Sequence, residues 1–365
     1  MKFLIIGGGI AGLSFAMHLH SNGYEVTVLE KDKVKKTKLC GGLLTGKAIH
    51  ELKSLGLEYE DIIFKPKEIK IYDEKKLLIS FENDINVFLV DRKELDTLLL
   101  NKFINDGGSV LFDKNIIDID TSKKQVKSAE NEIFEYDTLV IANGANSGFR
   151  KLLNEDASEK AFCVEQKIPR NTDLSKQEQE KISSIDIKFI KNRIGYAWIF
   201  ENYHETIEGI GFRYNDSEVK EEFDRFFTKK SIKGAYVPFG KQPSFSKTKD
   251  VFFIGDAGGY VNPLLAEGIS YSIASGKAIA NIIEHNDYNL DNRLRESISS
   301  FLSLRNIFYS KFNFIFKRMI KNHPGYAEYV CKNLILNDDY NVININSFLE
   351  GYKEYKSGRR QKEFK

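Results

Sequence analysis

The sequence predicts an α/β fold (α+β overall). It comprises a Rossmann-type nucleotide-binding domain, an inserted, mostly antiparallel β-sheet domain and a helical C-terminal region. Three observations lead there. A glycine-rich fingerprint lies between two short apolar runs at the N-terminus. A second apolar run followed by glycines returns at residues 251–259. Alternating apolar residues fill much of the chain between them.

The bulk numbers set bounds. The chain has 365 residues, 42% hydrophobic and 29% charged, with a formal net charge of +2. That is an ordinary globular composition, long enough to bury a core. So small a net charge supports no nucleic-acid role. Cys40, Cys163 and Cys331 are far apart and form no CxxC pair, so neither a disulfide framework nor a metal centre is expected. His18 and His20, two apart on a helix, point to different faces and read as structural or exposed. No apolar stretch reaches the roughly 18 residues of a spanning helix. The N-terminal apolar run is too short for a signal segment. The expected location is cytoplasmic, with peripheral contact at a membrane surface as the alternative.

The elements follow in order. Phe3 to Ile6 is a continuous apolar strand, as in a parallel sheet covered on both faces. A glycine turn, a helix from Leu13 to Ser21 and a strand from Tyr24 to Glu30 come next, then a lysine-rich loop over Lys31 to Lys38. Cys40 to Leu44 is read as opening a helical region that runs to Leu55. Residues 67–90 alternate as antiparallel strands, and Asp91 to Asp106 is a helix ended by Gly107-Gly108. Short strands are expected near 109–112, 115–120 and 132–141. Residues 160–245 read as strands, with a charged looped insert at 170–182. Val251 to Ile254 is a buried strand, Ile269 to Ile283 a helix, and 291–350 mostly helical. Residues 1–66, 88–150 and 246–290 thus form a discontinuous nucleotide-binding domain. Residues 67–87 and 151–245 form the inserted substrate sheet, and 291–365 the helical region.

Gly7-x-Gly9-x-x-Gly12 carries the first chemistry. Gly7 permits the tight turn, Gly9 lets backbone approach a pyrophosphate, and Gly12 lets the helix pack closely on the strand. Ala11 lies in the first turn, whose free N–H groups and positive dipole end suit phosphates. Glu30 ends the second strand, where a carboxylate accepts hydrogen bonds from ribose hydroxyls and repels a 2′-phosphate. The motif alone means a dinucleotide.

The distal segments narrow it. Val251 to Gly259 is a strand ending in Gly255-Asp256-Ala257, followed by Asn262-Pro263 and Glu267-Gly268-Ile269. Here the sequence resembles flavoprotein hydroxylases and reductases of the para-hydroxybenzoate hydroxylase type. The resemblance implies FAD, with Gly255 and Asp256 at the ribityl chain and Gly268 and Ile269 beside the flavin ring. Ala266 stands where the family often has glycine. Asp91-Arg92 matches the family's Asp-Arg helix start, which would turn Arg92 towards the FAD side chain or pyrophosphate. Asn143-Gly144-Ala145-Asn146-Ser147-x-x-Arg150 resembles its Asp-Gly-Ala-x-Ser-x-x-Arg turn, with Asn143 for the usual aspartate and Gly144 at the cofactor.

Two further segments are similar to the geranylgeranyl reductase family: Lys38-Leu39-Cys40-Gly41-Gly42, and Gly195-Tyr196-Ala197-Trp198-Ile199-Phe200. Glu201 replaces that family's closing proline, a change expected to alter pocket shape or polarity. The resemblance covers nearly all of residues 1–320. It implies reduction of carbon–carbon double bonds in an isoprenoid or other apolar substrate, with hydride from reduced flavin and a proton from the protein. Gly41 and Gly42 would admit the flavin. Cys40 reads as a catalytic and cofactor-contacting residue, with a packed small side chain as the alternative. Tyr196 and Trp198 share a strand face and would wall an apolar pocket as catalytic-site residues, or serve as sheet core. No second GxGxxG follows a strand, so the reductant is NAD(P)H bound transiently or a ferredoxin-like redox partner. A monooxygenase or halogenase, or a non-catalytic electron-relay flavoprotein, remain the competing classes.

The stretch 293–320 mixes Leu294, Ile298, Phe301, Phe308, Phe312 and Phe316 with Arg293, Arg295, Arg305 and Lys311. It reads as an amphipathic helical cap on the substrate domain, with membrane or lipid contact as the alternative. The basic end, residues 356–365, is expected to fray.

Overall fold

The computed structural model describes residues 1–33, 38–153, 155, 159–170, 173–213, 216–228, 230–239, 243–308, 313–336 and 338–363. Residues 34–37 of the lysine-rich loop, and Lys311 and Phe312 of the amphipathic stretch, lie outside the described residues, as do the side chains of Phe308 and Phe316.

Five parallel strands form the nucleotide-binding sheet, in the order Val251–Phe253, Thr138–Ile141, Lys2–Ile6, Glu25–Leu29, Ser109–Leu111. Alternate residues of Lys2–Ile6 serve two cores. Phe3 and Ile5 pack under the helices Ile10–Ser21, Arg92–Asn105 and Ile269–His285. Leu4 and Ile6 pack against Ile116, Ile119 and Val126 of a small antiparallel sheet. Burial on both faces explains the unbroken apolar runs. The strand order reverses at Lys2–Ile6. A crevice therefore opens beyond the carboxyl ends of Lys2–Ile6 and Thr138–Ile141, the topological switch point where such sheets bind ligands.

The second sheet has seven strands: Lys233–Pro238, Lys160–Pro169, Glu205–Phe212, Gly195–Glu201, Ser184–Phe189, Glu68–Asp73 and Lys76–Glu82. All neighbours are antiparallel except Ser184–Phe189 and Glu68–Asp73. Val219 and Phe223 of the helix Asp216–Phe226 cover one face, against Val164, Ile210 and Phe212. The other face carries Ile69, Ile185, Trp198 and Phe200 and meets Leu264, Val330, Cys331 and Ile335.

The C-terminal helices Asn289–Phe308, Asn313–Asn322, Pro324–Val330 and Ile345–Glu363 close that face, with one π-helical turn at Cys331–Ile335. Leu294, Ile298, Phe301 and Ile320 are buried in the fold, so the described apolar side of 293–320 is already covered by protein. Arg293 pairs with Asp339, and Arg295 with Asp291. Tyr340 then anchors the tail. Its hydroxyl donates to the Ser270 carbonyl at 3.1 Å and to Glu51 at 3.3 Å, and its ring packs on Tyr271. No helix among the described residues is long and apolar enough to cross a membrane.

Several local expectations are corrected. Residues 43–44 are a strand pairing with Phe88–Val90, and the helix is only Gly46–Ser54. Gly42 causes this: its φ of +76° is left-handed, and its backbone presses on the Val90 carbonyl, so no helix can run through it. The looped insert at 170–182 contains a helix, Lys176–Ile182, nucleated by a Ser175/Glu178 capping box. The region read as strands includes the helix Asp216–Phe226, and Gln125–Ser128 is an additional strand. Residues 356–363 of the basic end expected to fray continue the helix Ile345–Glu363, and 364–365 lie outside the described residues.

Tyr340→Ala removes both hydrogen bonds and leaves a cavity between two domains' worth of helices. Urea unfolding is expected to show a loss of about 3–5 kcal/mol; a loss below about 1 kcal/mol would mean the tail is not anchored there.

Candidate active site

The crevice is built first by the N-terminal turn. Gly7 has φ +110°, and a Cβ there would stand 2.6 Å from the Ala142 carbonyl oxygen. A Cβ on Gly12 would stand 2.0 Å from the Gly7 carbonyl oxygen. Gly9 differs: a Cβ there would meet nothing within 4 Å. It faces open space at the start of the helix Ile10–Ser21, which no side chain caps. The helix end thus keeps its anion-binding potential. Glu30, at the end of Glu25–Leu29, accepts from the Gly8 N–H at 2.8 Å and the Asp32 N–H at 3.1 Å. Those bonds fix its carboxylate beside the same turn.

The distal segments meet this turn. Gly255 has φ +55°, and a Cβ on it would stand 2.6 Å from the Ala11 Cβ, so the two glycine turns touch. Asp256 is buried in the short helix Gly255–Gly258 and ion-pairs with Lys38, while Gly268 lies beside its Oδ1. Arg150 locks the arrangement. Its Nε donates to the Ala257 carbonyl at 3.0 Å, Nη1 pairs with buried Glu155 at 3.1 Å, and the guanidinium stacks on Phe253. A cation at carbonyls of a helix C-terminus is favourable. Gly144 has φ +84° and opens on space, flanked by the buried, unpartnered Asn143 Oδ1 and Ser147 Oγ. The loop 262–268 is shaped by Asn262, whose Oδ1 accepts from the N–H groups of Leu264 and Leu265. Ala266 sits at φ +51°, a left-handed conformation that glycine would adopt without the Cβ strain. Ile269 begins the long helix.

The antiparallel sheet supplies the opposite wall. Tyr196, Trp198 and Phe200 alternate onto one face, with ring centroids 5.8 Å and 6.3 Å apart in succession. Room for them comes from glycines: a Cβ on Gly209 would stand 2.2 Å from the Trp198 indole. The Cys40-Gly41-Gly42 segment lies across this face, and a Cβ on Gly41 would stand 2.7 Å from Phe200. Gly42 N–H donates to Cys40 Sγ at 3.4 Å, and the Cys40 N–H to Glu165 at 3.2 Å. Arg92 is buried beside the Cys40 thiol and pairs with Asp96 at 3.0 Å, leaving its Nε unpartnered. Glu201 faces the other way, with Ala197 and Ile199, because the strand register is unbroken from Gly195 to Glu201. The expected change in pocket polarity through its side chain is therefore corrected.

Next to Tyr196 lies an apolar cavity of about 60 Å³, lined by Ile71, Phe189, Leu264, Cys331 and Ile335 among others. The Tyr196 hydroxyl is spent on the Leu265 carbonyl, so it offers the cavity no free polar group. Burial of the sulfur pushes the Cys163 and Cys331 thiols up to about 12, and Cys40 and Cys163 are each half-buried as residues while Cys331 is buried. His18 is held neutral, lowered to about 4 by burial and by Lys277. His20 bonds the Asp106 carbonyl. No group of three or more His, Cys, Asp or Glu side chains among the described residues could hold a metal.

The site fits a bound dinucleotide. Gly9 and Gly144 leave space, the first helix is uncapped, and Asn143, Ser147, Arg92 and Trp198 each keep a buried polar atom without a hydrogen-bond partner. Two residues escaped the sequence reading. Lys38 reads as the end of the lysine-rich loop, although it heads the Lys-x-Cys-Gly-Gly segment. Glu165 carried no motif, since only the sheet register brings it to Cys40.

Gly9→Ala is expected to leave the unfolding midpoint of FAD-free protein nearly unchanged while weakening FAD binding more than about tenfold. Gly12→Ala should lower both. Equal stability losses in the two variants would contradict the division of roles. Ala266→Gly is expected to raise stability by about 1 kcal/mol in urea unfolding, by relieving the left-handed alanine.

Comparison with known proteins agrees with this architecture. Residues 1–188 match the family model described as pyridine nucleotide-disulphide oxidoreductase. Geranylgeranyl diphosphate reductase of Nicotiana tabacum is 24% identical over 311 residues, 78% of this chain and 66% of that protein. Menaquinone reductase of Mycolicibacterium smegmatis is 22% identical over 317 residues, covering 77% of this chain and 75% of that one. A geranylgeranyl bacteriochlorophyll reductase-like protein from Thermoplasma acidophilum has the same fold, with a TM-score of 0.72 and 17% identity, covering 99% of this chain and 98% of that one. A 2-methyl-3-hydroxypyridine-5-carboxylic acid oxygenase shares it at a TM-score of 0.64 and 18% identity, over 88% and 93% of the two chains. The chain belongs to the pyridine nucleotide-disulphide oxidoreductase family, as an FAD-dependent oxidoreductase of the geranylgeranyl reductase-like kind.

Proposed function

We propose that this protein reduces carbon–carbon double bonds of an isoprenoid or other apolar unsaturated chain. The observation that carries the reading is the cavity beside Tyr196, whose lining is almost wholly hydrocarbon. A site for hydroxylating a polar aromatic ring would need hydrogen-bonding groups to orient it. Relatives named for geranylgeranyl diphosphate and menaquinone support a substrate of isoprenoid or quinone type.

FAD, when bound, supplies the hydride. The chain's own residues do the rest. Gly9 and the first turn of Ile10–Ser21 would hold the pyrophosphate, Glu30 a ribose, and Asp256, Arg92 and Gly144 the remaining polar length. Gly41 and Gly42 let their segment lie closely on Phe200 and Val90, so it would present backbone to the ring system. Ile71, Phe189 and Leu264 bind the chain and exclude water, and Tyr196 and Trp198 orient it. Cys40 is the candidate proton donor to the second carbon. The cavity is small, about two water volumes. A long chain therefore requires Ile335 and its neighbours in the π-helical turn to shift outward, and a π-turn is a common element at functional sites.

The test is anaerobic. Dithionite-reduced protein, freed of excess reductant, is mixed with geranylgeranyl diphosphate, which has no other group that can take up the electrons, and flavin absorbance is followed. Reoxidation by the unsaturated compound, and none by its saturated analogue, is expected. Ile71→Trp should fill the cavity and slow reoxidation at least about tenfold with FAD content retained. No reoxidation by any prenyl compound would overturn the reading.

A further inference from the structure

Register across the antiparallel sheet places Trp198, Gly209 and Glu165 in one row, and Tyr196, Gly211 and Cys163 in the next. Gly209 and Gly211 have no side chains, so the face is a shelf with aromatic rings on one side and Glu165 on the other. The Cys40-Gly41-Gly42 segment rests on that shelf. Gly41 meets the aromatic rings, and the Cys40 N–H donates to the Glu165 carboxyl at 3.2 Å.

We propose that Glu165 is the positioning residue of the Cys40–Gly42 segment, clamping it to the sheet and tying the charge beside Cys40 to pH. Glu165 is 3% exposed, a position where a carboxyl is rarely found without a purpose. The groups around it oppose one another. On its own strand stand Cys163 and Lys167, and on the adjacent strands Glu205, which pairs with Lys167, and the exposed Lys233. From the helix Arg92–Asn105 come Arg92, itself paired with Asp96, and the capping Asp91. Burial outweighs the cations and pushes the Glu165 carboxyl up to about 7. It therefore changes charge near neutrality. As an anion it holds the Cys40 N–H more strongly and repels a second negative charge brought beside it. This role does not depend on which substrate the enzyme reduces.

The sign for stability follows. A carboxyl raised from 4.5 to about 7 contributes stability that is complete below pH 4.5 and lost as pH rises through 7. Glu165→Gln should lack that loss.

The experiment uses the FAD-loaded protein. Iodoacetamide alkylation is resolved at Cys40 by peptide mass spectrometry and followed with pH, for wild type and Glu165→Gln. An isolated thiol gains reactivity about tenfold per pH unit below its own titration. Wild type is expected to rise less steeply than that between pH of about 6 and 8. The variant should match wild type near pH 6, where Glu165 is neutral, and react several-fold faster near pH 8. A variant-to-wild-type ratio that is the same at both pH values would reduce Glu165 to packing and overturn the proposal. If Glu165→Gln does not fold, the wild-type profile decides alone: a featureless tenfold-per-unit rise overturns it, and a break near 7 that moves in Glu165→Asp supports it. Failure here leaves flavin reoxidation by prenyl compounds untouched, so the two readings can fail separately.

Discussion

The close backbone packing around the helix Ile10–Ser21 is the constraint on which the rest depends. Gly12 lies on the Gly7 carbonyl, Ala11 against Gly255, and Ser14 against Gly276, whose Cβ would stand 2.8 Å from the Ser14 hydroxyl. The Ala11–Gly255 and Ser14–Gly276 contacts join residues far apart in sequence, and none of the three tolerates a larger side chain without movement. Together they bring the first turn, the Gly-Asp-Ala turn and the helix Ile269–His285 to one crevice. Arg150 completes the joint by capping carbonyls of Gly255–Gly258 while its own charge is met by Glu155. Removing one partner of such a buried pair is costly, because the other charge stays behind in a low-dielectric site.

The second wall follows from different physics. The seven-stranded sheet exposes a glycine shelf rather than a uniformly packed surface, so aromatic rings and the Cys40–Gly42 backbone share one face. Tyr196 closes the end of that face by bonding the loop 262–268, and the C-terminal helices cover what remains. The Cys40–Gly42 segment and the apolar cavity thus lie at two ends of one aromatic row. The tail is part of the cavity, because Cys331 and Ile335 line it and Tyr340 fixes them to the first domain.

Much of this was legible from the residues. The Gly7–Gly12 fingerprint, the apolar run ending at Gly255-Asp256 and the alternation through 67–90 announce their elements, because periodicity and obligatory glycines are local signals. The Ser175/Glu178 capping box and the Val219/Phe223 spacing are equally local signals for two helices, which a looped insert at 170–182 and strands over the rest of 160–245 pass over. Other features were not local. Gly42 looks like any glycine until Val90 is seen against it. Glu165 and Lys38 gain meaning only from strand register and from a contact with Asp256. Glu201 stands in sequence next to the aromatic row, yet strand alternation turns its side chain away. Sequence pattern identifies the elements, whereas the partners of buried charges are set by tertiary packing.

The central claim, a crevice for FAD joined to an apolar chain-binding cavity, is tested most directly by native mass spectrometry of the purified protein. The account predicts one non-covalent FAD per chain, together with an apolar lipid released from a fraction of molecules on activation. Protein that carries no flavin, and takes up none when FAD is added, would contradict it.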